Sequence, residues 1–325
     1  MARDLRKVVA HGLRGDRFTF NVGSAGLLRP DLSLPAYAGL VPANGLAPVF
    51  NFFDRTGGGM RFGPTVRRST QRDYRGGRLS YEEHDGTDFV CPPGTPIVAA
   101  APGVLVATRD NWLCGGLTAC VEHGSGVVTQ YAHLSIVTKA IGEPIARGEQ
   151  IGLSGTSGYD LTQFFPWIPP HLHFQVRING RPVDPYLAFG ETRSLGVWFH
   201  RNDPQAAVGP LSSDPSPEVL LHSDADLRVA DSLASQCLSP DVAGELERAP
   251  SDVARAAILE DSLHHDRDAW PARLHGANVR LASARPRDVR LTLPLAAALY
   301  RGAVASDERV HSLSNFASLR GRSMS

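Results

Sequence analysis

Short runs of Val, Ile, Thr and aromatic residues alternate with Gly, Asn and Pro between residues 61 and 190. This spacing is typical of β-strands that are separated by turns. The clearest runs are "TPIVAAAPGVLVATRD", "TACVEHGSGVVTQYAHLS", "IARGEQIGLSG" and "HLHFQVRINGRPVD". The pattern predicts a mainly β domain over 61–190, built as a sandwich or a barrel.

The pattern changes after residue 190. A stretch rich in Pro, Ser and Asp predicts a linker over 191–214, and residues 215–325 are rich in Ala, Leu, Asp and Arg. Ser followed by Pro and an acidic residue, at 216–218 and again at 239–241, indicates two helix starts. Apolar residues lie near helical spacing in 251–265. We therefore expect a helical C-terminal extension over 215–325.

The first sixty residues are weakly patterned and rich in Gly, Pro and Leu. Residues 32–53 carry no charge, but prolines and glycines divide them into short pieces. This favours a loop or an extended segment over 1–60 rather than a membrane span. Residues 1–18 are basic and lack the apolar run of a secretory signal, so the sequence predicts neither an export signal nor a transmembrane segment.

The composition is that of a globular protein, with 42% hydrophobic and 20% charged residues. Lys plus Arg and Asp plus Glu both total 33, so the net formal charge is zero. No basic patch is interleaved with aromatic residues. These features argue against a nucleic-acid partner and leave the oligomeric state open.

The four cysteines allow two interpretations. Cys114 and Cys120 flank a Gly-Gly turn, so they can form a hairpin disulfide or remain two buried thiols. Cys91 and Cys237 have no evident partner. None of the four has zinc-finger spacing.

The hexapeptide "HLHFQV" places two histidines one residue apart in an apolar run. In a strand, side chains alternate between faces, so His171, His173 and Gln175 share one face and the apolar residues share the other. Two imidazoles on one face can serve a single metal site. The alternative is a pair of hydrogen-bonded histidines on a half-buried strand.

Two further stretches carry the same kind of chemistry. In "EEHDGTDFV", His84 and Asp88 lie in a turn that runs into a strand, and "TQYAHLS" places His133 at the end of an apolar strand. Taken singly, these are a surface turn and a core or capping histidine. Imidazole nitrogen and carboxylate oxygen are zinc ligands, and a His, Asp, His set leaves a fourth position for water, as in catalytic zinc sites.

These motifs together resemble one family. Residues 84–88 match the H-x-G-x-D motif of the lysostaphin-type (LytM-like) zinc metallopeptidases, a family of peptidoglycan hydrolases. "YAHLS" at His133 and "HLHF" at 171–174 are similar to the family's other two signatures, in the same order. "PPGTPIVAAAPGVLVA", "RGEQIGLSGTSG" and "VDPYLAF" also resemble its scaffold segments. The resemblance covers residues 80–190.

The resemblance implies a compact antiparallel β fold with a narrow groove and one zinc ion at its floor. It assigns His84, Asp88 and His173 as zinc ligands, and His133 and His171 as the catalytic histidines. The implied function is that of a zinc endopeptidase that cleaves stem peptides or cross-bridges of the bacterial cell wall, outside the cytoplasm. Two alternatives remain: a catalytically silent relative that binds wall peptide or regulates another hydrolase, and a metallopeptidase that acts on a different peptide.

One segment departs from the family pattern. The stretch 156–170, between the glycine-rich turn and the histidine pair, is longer than is usual in the family. It carries Phe164, Phe165, Trp167 and Ile168 among prolines. This apolar loop either forms a wall of the substrate groove or packs on the N-terminal segment or the helical extension.

Overall fold

The computed structural model describes the chain in several segments: residues 28–55, 69–81, 83–111, 115–124, 126–158, 168–178, 180–187, 196–205, 214, 224–274, 289–307 and 316–318. The strands, in chain order, are β1 (Leu40–Pro42), β2 (Leu46–Asn51), β3 (Thr87–Val90), β4 (Pro96–Val98), β5 (Gly103–Asn111), β6 (Gly116–Glu122), β7 (Val127–Val137), β8 (Pro144–Ile145), β9 (Gln150–Ser154), β10 (His171–Ile178), β11 (Arg181–Val183), β12 (Gly302–Ala305) and β13 (Phe316–Ser318). The α-helices are α1 (Pro30–Tyr37), α2 (Phe199–Asn202), α3 (Asp224–Ala234), α4 (Pro240–Glu247) and α5 (Asp252–His265), and 3-10 turns lie at Arg267–Ala269 and Ala272–Leu274.

One large sheet organises the molecule. Its main path runs β12-β2-β3-β10-β7-β6-β5-β8, with β11 beside β10, and with β9 joining β4 to β7. Neighbouring strands are antiparallel except β12, which pairs with β2 in parallel. Strands β1 and β13 form a separate antiparallel pair. The predicted mainly β domain with helices in the C-terminal part is confirmed.

The two faces of the central strands pack against different parts of the molecule. Along β10, Leu172, Phe174 and Val176 point into the main hydrophobic core. On the opposite face, near β5, β6 and β7, a second apolar cluster joins the sheet to helices α3 to α5. His171 and His173 lie on that second face, because side chains alternate along the strand. The proposed metal site and the helices therefore share one side of the sheet.

The helical extension contains the predicted helix start at 239–241. Ser239 is the N-cap of α4, and its side chain accepts a hydrogen bond from the Val242 backbone. The start at 216–218 lies outside the described residues. The same region also contributes β12 and β13, two short strands that the sequence pattern did not indicate. The division of the chain into domains remains a prediction.

The N-terminal segment corrects one expectation. Residues 32–53 were expected to be loop or extended, and β1 and β2 agree, but α1 at Pro30–Tyr37 is a helix. Pro30 lies at the first helical position, where its fixed φ favours a helix start. Leu32 and Ala36, one turn apart, are buried against Phe50. In the part of the chain that the structure describes, no helix has the length and apolar character needed to cross a bilayer.

Two other expectations are only partly covered. Cys91, Cys120 and Cys237 are free thiols, whereas Cys114 lies outside the described residues. The aromatic residues Phe164, Phe165 and Trp167 of the long loop also lie outside them. At the end of that loop, Ile168 packs against the apolar cluster that includes α1, which fits the packed alternative for this one residue.

Candidate metal centre

The pairing of two strands brings the first candidate ligands together. Strand β10 lies antiparallel to β3, and His173 is directly opposite Asp88 in the register. Directly opposed residues have their Cβ atoms about 5 Å apart and point to the same face. The Nδ1 atom of His173 lies 2.9 Å from Oδ1 of Asp88. Sheet register thus creates this contact.

His84 joins the pair from the turn before β3. Its Nε2 atom lies 3.1 Å from Oδ1 of Asp88 and 3.1 Å from Nδ1 of His173. The neighbouring Glu83 has a left-handed backbone with φ 67°, and its backbone N–H donates to the Asp54 side chain at 2.7 Å. The Asp54 backbone N–H also donates to the His84 carbonyl. These contacts fix the turn that presents His84.

The glycine of the H-x-G-x-D motif has a geometric reason. A Cβ atom at Gly86 would lie 2.7 Å from Nε2 of His173 and 2.7 Å from the backbone oxygen of Phe174. Real Cβ contacts are not this short, so any side chain at Gly86 displaces the histidine or the strand. The motif therefore allows the turn to approach β10 closely.

The three side chains form a group that can hold a metal ion. One donor atom from each of His84, Asp88 and His173 lies within 4.8 Å of the others, and all three residues are buried. The other ring nitrogens are occupied. His84 Nδ1–H donates to the Phe52 carbonyl at 2.8 Å, and His173 Nε2 lies 3.2 Å from Oδ1 of Asp85. Such outer hydrogen bonds orient metal-binding histidines and fix their tautomers.

The electrostatics of the group favour a cation. Burial raises the pKa of Asp88, but His84 and His171 nearby more than reverse this and lower the pKa well below its ordinary value. Burial lowers the pKa of His173, whereas hydrogen bonds to Asp85 and Asp88 outweigh it and raise the pKa to about 10. The carboxylates therefore hold positive charge between them. A metal cation bound to Nδ1 takes the place of a proton there.

His133 lies beside the group because β7 changes partner at this residue. Strand β7 pairs with β10 up to Ala132 and with β9 from Leu134 onwards. His133 itself has φ 60°, a left-handed conformation that costs a residue with a side chain about 1–3 kcal/mol. Its ring centroid lies 4.8 Å from that of His171 and 6.2 Å from that of His173. The strained backbone turns this imidazole towards the cluster.

His133 and His171 share one hydrogen-bonding arrangement. The Nδ1–H of His133 donates to the Ser157 carbonyl at 2.7 Å, and the Nδ1–H of His171 donates to the Pro169 carbonyl at 2.8 Å. In each ring Nε2 is then the atom that can accept a proton. His171 Nε2 lies 3.6 Å from Oδ1 of Asp88. All five residues singled out in the sequence are therefore brought together.

Sequence reasoning missed the residues that support this group. Asp85 occupies the variable position of the motif, and Gln175 was placed on the histidine face of the strand without a role. Asn51 donates from Nδ2 to Oδ2 of Asp88 at 3.2 Å across the β2–β3 pair. Only the alternation along β10 offered a signal for Gln175. No local signal identified Asn51, since its partner is distant in the sequence.

The comparisons with known proteins cover the same region. Residues 82–185 match the model of Peptidase family M23. This part of the chain is an M23 peptidase domain. The match begins just before His84 and ends after β11, so it contains all five of the residues described above.

Several curated relatives match over this domain. The chain is 39% identical over 105 residues to "Peptidoglycan DD-endopeptidase ShyA" of Vibrio cholerae, over 32% of this chain and 23% of the relative. It is 39% identical to "DD-carboxypeptidase/endopeptidase Mpg" of Neisseria meningitidis, over 31% of this chain and 22% of the relative. The matched segment thus spans less than a quarter of either relative. Among solved structures, the catalytic domain of lysostaphin from Staphylococcus simulans matches with 32% identity, 31% and 75% coverage of the two chains and a TM-score of 0.28.

Proposed function

We propose that this protein is a zinc-dependent endopeptidase that hydrolyses a peptide bond in peptidoglycan. His84, Asp88 and His173 are the proposed zinc ligands, and His133 and His171 are the proposed catalytic histidines. The observation that carries the proposal is the buried His, Asp, His group with two more imidazoles beside it. A structural role alone does not account for five such residues in one place, because burying charged groups costs free energy.

The residues fit zinc by their chemistry. Two imidazole nitrogens and one carboxylate oxygen are a common zinc donor set, and three protein ligands leave a position open for water or substrate. The outer ring nitrogens of His84 and His173 are held by Phe52 and Asp85, as expected for ligands with a fixed tautomer. When bound, the zinc ion supplies Lewis acidity that polarises a peptide carbonyl and lowers the pKa of water.

The two remaining histidines supply proton transfer. Burial and the neighbouring imidazoles of His171 and His173 lower the pKa of His133 to about 3, and burial also lowers the pKa of His171. Both rings are therefore neutral near pH 7, with Nδ1–H bound to a carbonyl and the lone pair on Nε2. Each Nε2 atom can accept a proton from water and return it to the leaving amine.

The substrate class comes from the relatives. Two of them carry the names peptidoglycan DD-endopeptidase and DD-carboxypeptidase/endopeptidase. We therefore propose stem peptides or cross-bridges of peptidoglycan as substrate, and a site of action outside the cytoplasm.

The test uses the full chain loaded with zinc and incubated with isolated sacculi and with glycine-rich peptides. Mass spectrometry of the soluble products should show new peptide termini, and a chelator should abolish them. The variant His200→Ala changes an exposed histidine on α2 and is the matched control, with activity expected to be unchanged. If zinc-loaded protein releases nothing from either substrate, the wall-peptidase proposal fails.

A further inference from the structure

Strand β10 continues past the proposed metal site with two buried polar residues that the proposed chemistry does not use. Gln175 is 0% exposed and Arg177 is 1% exposed, and both follow His173 on the same face. Burying an arginine and an amide is unfavourable unless each is hydrogen-bonded. The hydrogen-bond partners of Gln175 and Arg177 therefore indicate why two polar residues are buried on this face of β10.

The partners form a continuous chain that begins at the proposed ligand. His173 Nε2 lies 3.2 Å from Oδ1 of Asp85, and Gln175 Nε2 donates to Oδ2 of the same carboxylate at 2.6 Å. Arg177 Nε then donates to Oε1 of Gln175. Two side chains, those of Asp85 and Gln175, thus connect the imidazole to a guanidinium farther along the strand.

The far end of the chain lies in the helical extension. Arg177 Nη2 donates to Oδ1 of Asp261 at 2.7 Å, and Asp261 belongs to α5. Gln130 of β7 bonds both residues, through Oε1 to Arg177 and through Nε2 to Asp261. Asp261 also accepts from Arg109 of β5 and is itself 3% exposed. The helix therefore places a buried carboxylate directly on the guanidinium.

The chain has a fixed direction. A guanidinium can only donate hydrogen bonds, so Arg177 obliges Gln175 to present its oxygen to it and its NH2 group to Asp85. Asp85 must then accept from Gln175, and its other oxygen, Oδ1, faces Nε2 of His173 at an ion-pair distance of 3.2 Å. This leaves the Nδ1 lone pair of His173 directed at Asp88 and His84, as metal binding requires.

From this geometry we infer that helix α5 is a positioning element of the metal centre, and that Asp261 is a positioning residue that acts through Arg177, Gln175 and Asp85 on the tautomer and orientation of His173. The inference rests on the proposed metal site. It gives the helical extension a role in zinc binding, and not only in covering the sheet.

The first test compares two aspartates of the same buried ion-pair region. Asp261→Asn removes the charge that holds Arg177, whereas Asp266→Asn alters a carboxylate whose hydrogen bonds go to Arg109 and Asn111. Zinc affinity of the full chain is measured by competition with a chromophoric chelator. Outer-shell changes cost metal affinity about 10–100-fold, and Asp261 lies three links beyond Asp85, so we expect a smaller loss of about 3–10-fold for Asp261→Asn and none for Asp266→Asn.

A spectroscopic readout separates positioning from general destabilisation. In the zinc-loaded protein, the Nε2–H proton of His173 should resonate downfield because it faces the Asp85 carboxylate. Asp261→Asn should shift it upfield, and Asp85→Asn should abolish the signature and weaken zinc binding about 10–100-fold, because an amide NH2 group there favours the wrong tautomer. Asp266→Asn should leave the resonance in place.

The outcomes are distinguishable from failure of the proposed function. If the unaltered chain does not bind zinc, the metal site itself is wrong. If it binds zinc but Asp261→Asn matches Asp266→Asn in affinity and in the resonance, the inference is overturned. Should Asp261→Asn fail to fold, Arg177→Met decides, because it breaks the same link while Asp261 keeps Arg109. Unchanged zinc affinity in Arg177→Met overturns the inference, and a loss supports it.

Discussion

The N-terminal segment touches two of the proposed ligands through residues 51 and 52, whereas helix α5 reaches the third through intervening side chains. The Phe52 carbonyl accepts a hydrogen bond from the His84 ring, and Asn51 donates to Asp88. Both contacts come from β2 or the residues just after it, and β2 is the neighbour of β3 in the sheet. The support on this side is direct.

The support from the helical side is indirect. Helix α5 lies on the face of β5, β6 and β7, and its Asp261 meets Arg177 two alternations beyond His173 on β10. Only long polar side chains span that separation, so the link runs through hydrogen bonds in series. When one hydrogen bond in a series is lost, the others can relax. Removing a direct contact to a ligand should therefore cause the larger loss of zinc affinity, and removing one link of the series the smaller loss.

The largest expected effect removes the ligand that the helical side supports. His173→Ala takes away one of three donors and should weaken zinc binding at least about 1,000-fold, with loss of activity. His171→Ala should keep the metal and lower kcat about 100- to 10,000-fold, because it removes only a proton-transfer group. Metal content after dialysis and turnover of the same samples measure both effects.

This pair of variants also tests the separate roles of the two histidines. They lie on one strand face, differ by one alternation and are both buried or nearly so, which makes each the control for the other. Equal loss of zinc in the two variants would contradict the assignment.

Much of this site could be predicted from the sequence, for a physical reason. Alternation along 171–176 and the turn at 84–88 are local patterns, and side-chain direction follows from backbone period alone. The roles within the histidine pair came from the family resemblance, since both share one face. The register that sets Asp88 opposite His173 became visible only in the folded sheet.

Long-range contacts account for what the sequence did not reveal. Strand β12 pairs with β2 across about four fifths of the chain, and the four residues Gly302–Ala305 have no alternation that would predict a strand. The link between Arg177 and Asp261 joins residues 84 positions apart. Helix α1 was missed because Pro35 lies within it, and proline usually interrupts a helix.

A second prediction concerns the seam between the sheet and α5. Burial, and then the neighbouring Glu260 carboxylate, raise the pKa of Glu122 from 4.5 to about 8. The folded protein then keeps a proton that the unfolded chain releases above pH 4.5, so the free energy of unfolding should fall as pH rises from about 5 to about 8. The expected fall is on the order of 2–4 kcal/mol. Urea unfolding at several pH values measures it.

The matching variant is Glu122→Gln, which cannot ionise and should reduce this pH dependence; burial also raises the pKa of Glu260 to about 7, so that carboxyl keeps part of the slope. Glu149→Gln is the control: a hydrogen bond from Lys139 lowers the pKa of Glu149, so its titration lies below this range. A slope that Glu122→Gln leaves unchanged would show that the helical seam does not depend on this proton.

The last and smallest effect tests the direct support from the N-terminal side. Asn51 is 0% exposed, and among the described residues its Oδ1 atom has no hydrogen-bond partner, so its polarity serves Asp88 through Nδ2 alone. An unsatisfied buried oxygen costs about 1–3 kcal/mol. Asn51→Leu removes this cost but also leaves Oδ2 of Asp88 without its donor, so the melting temperature of the metal-free protein should change little while zinc binding weakens about 10-fold. Asn44→Leu, which loses only a turn bond to the Leu46 backbone, is the control and should keep full zinc affinity. Calorimetry and chelator competition on the two variants give both quantities.

A larger loss of zinc affinity in Asn51→Leu than in Asp261→Asn would support the contrast between direct and serial support, and equal losses would remove it.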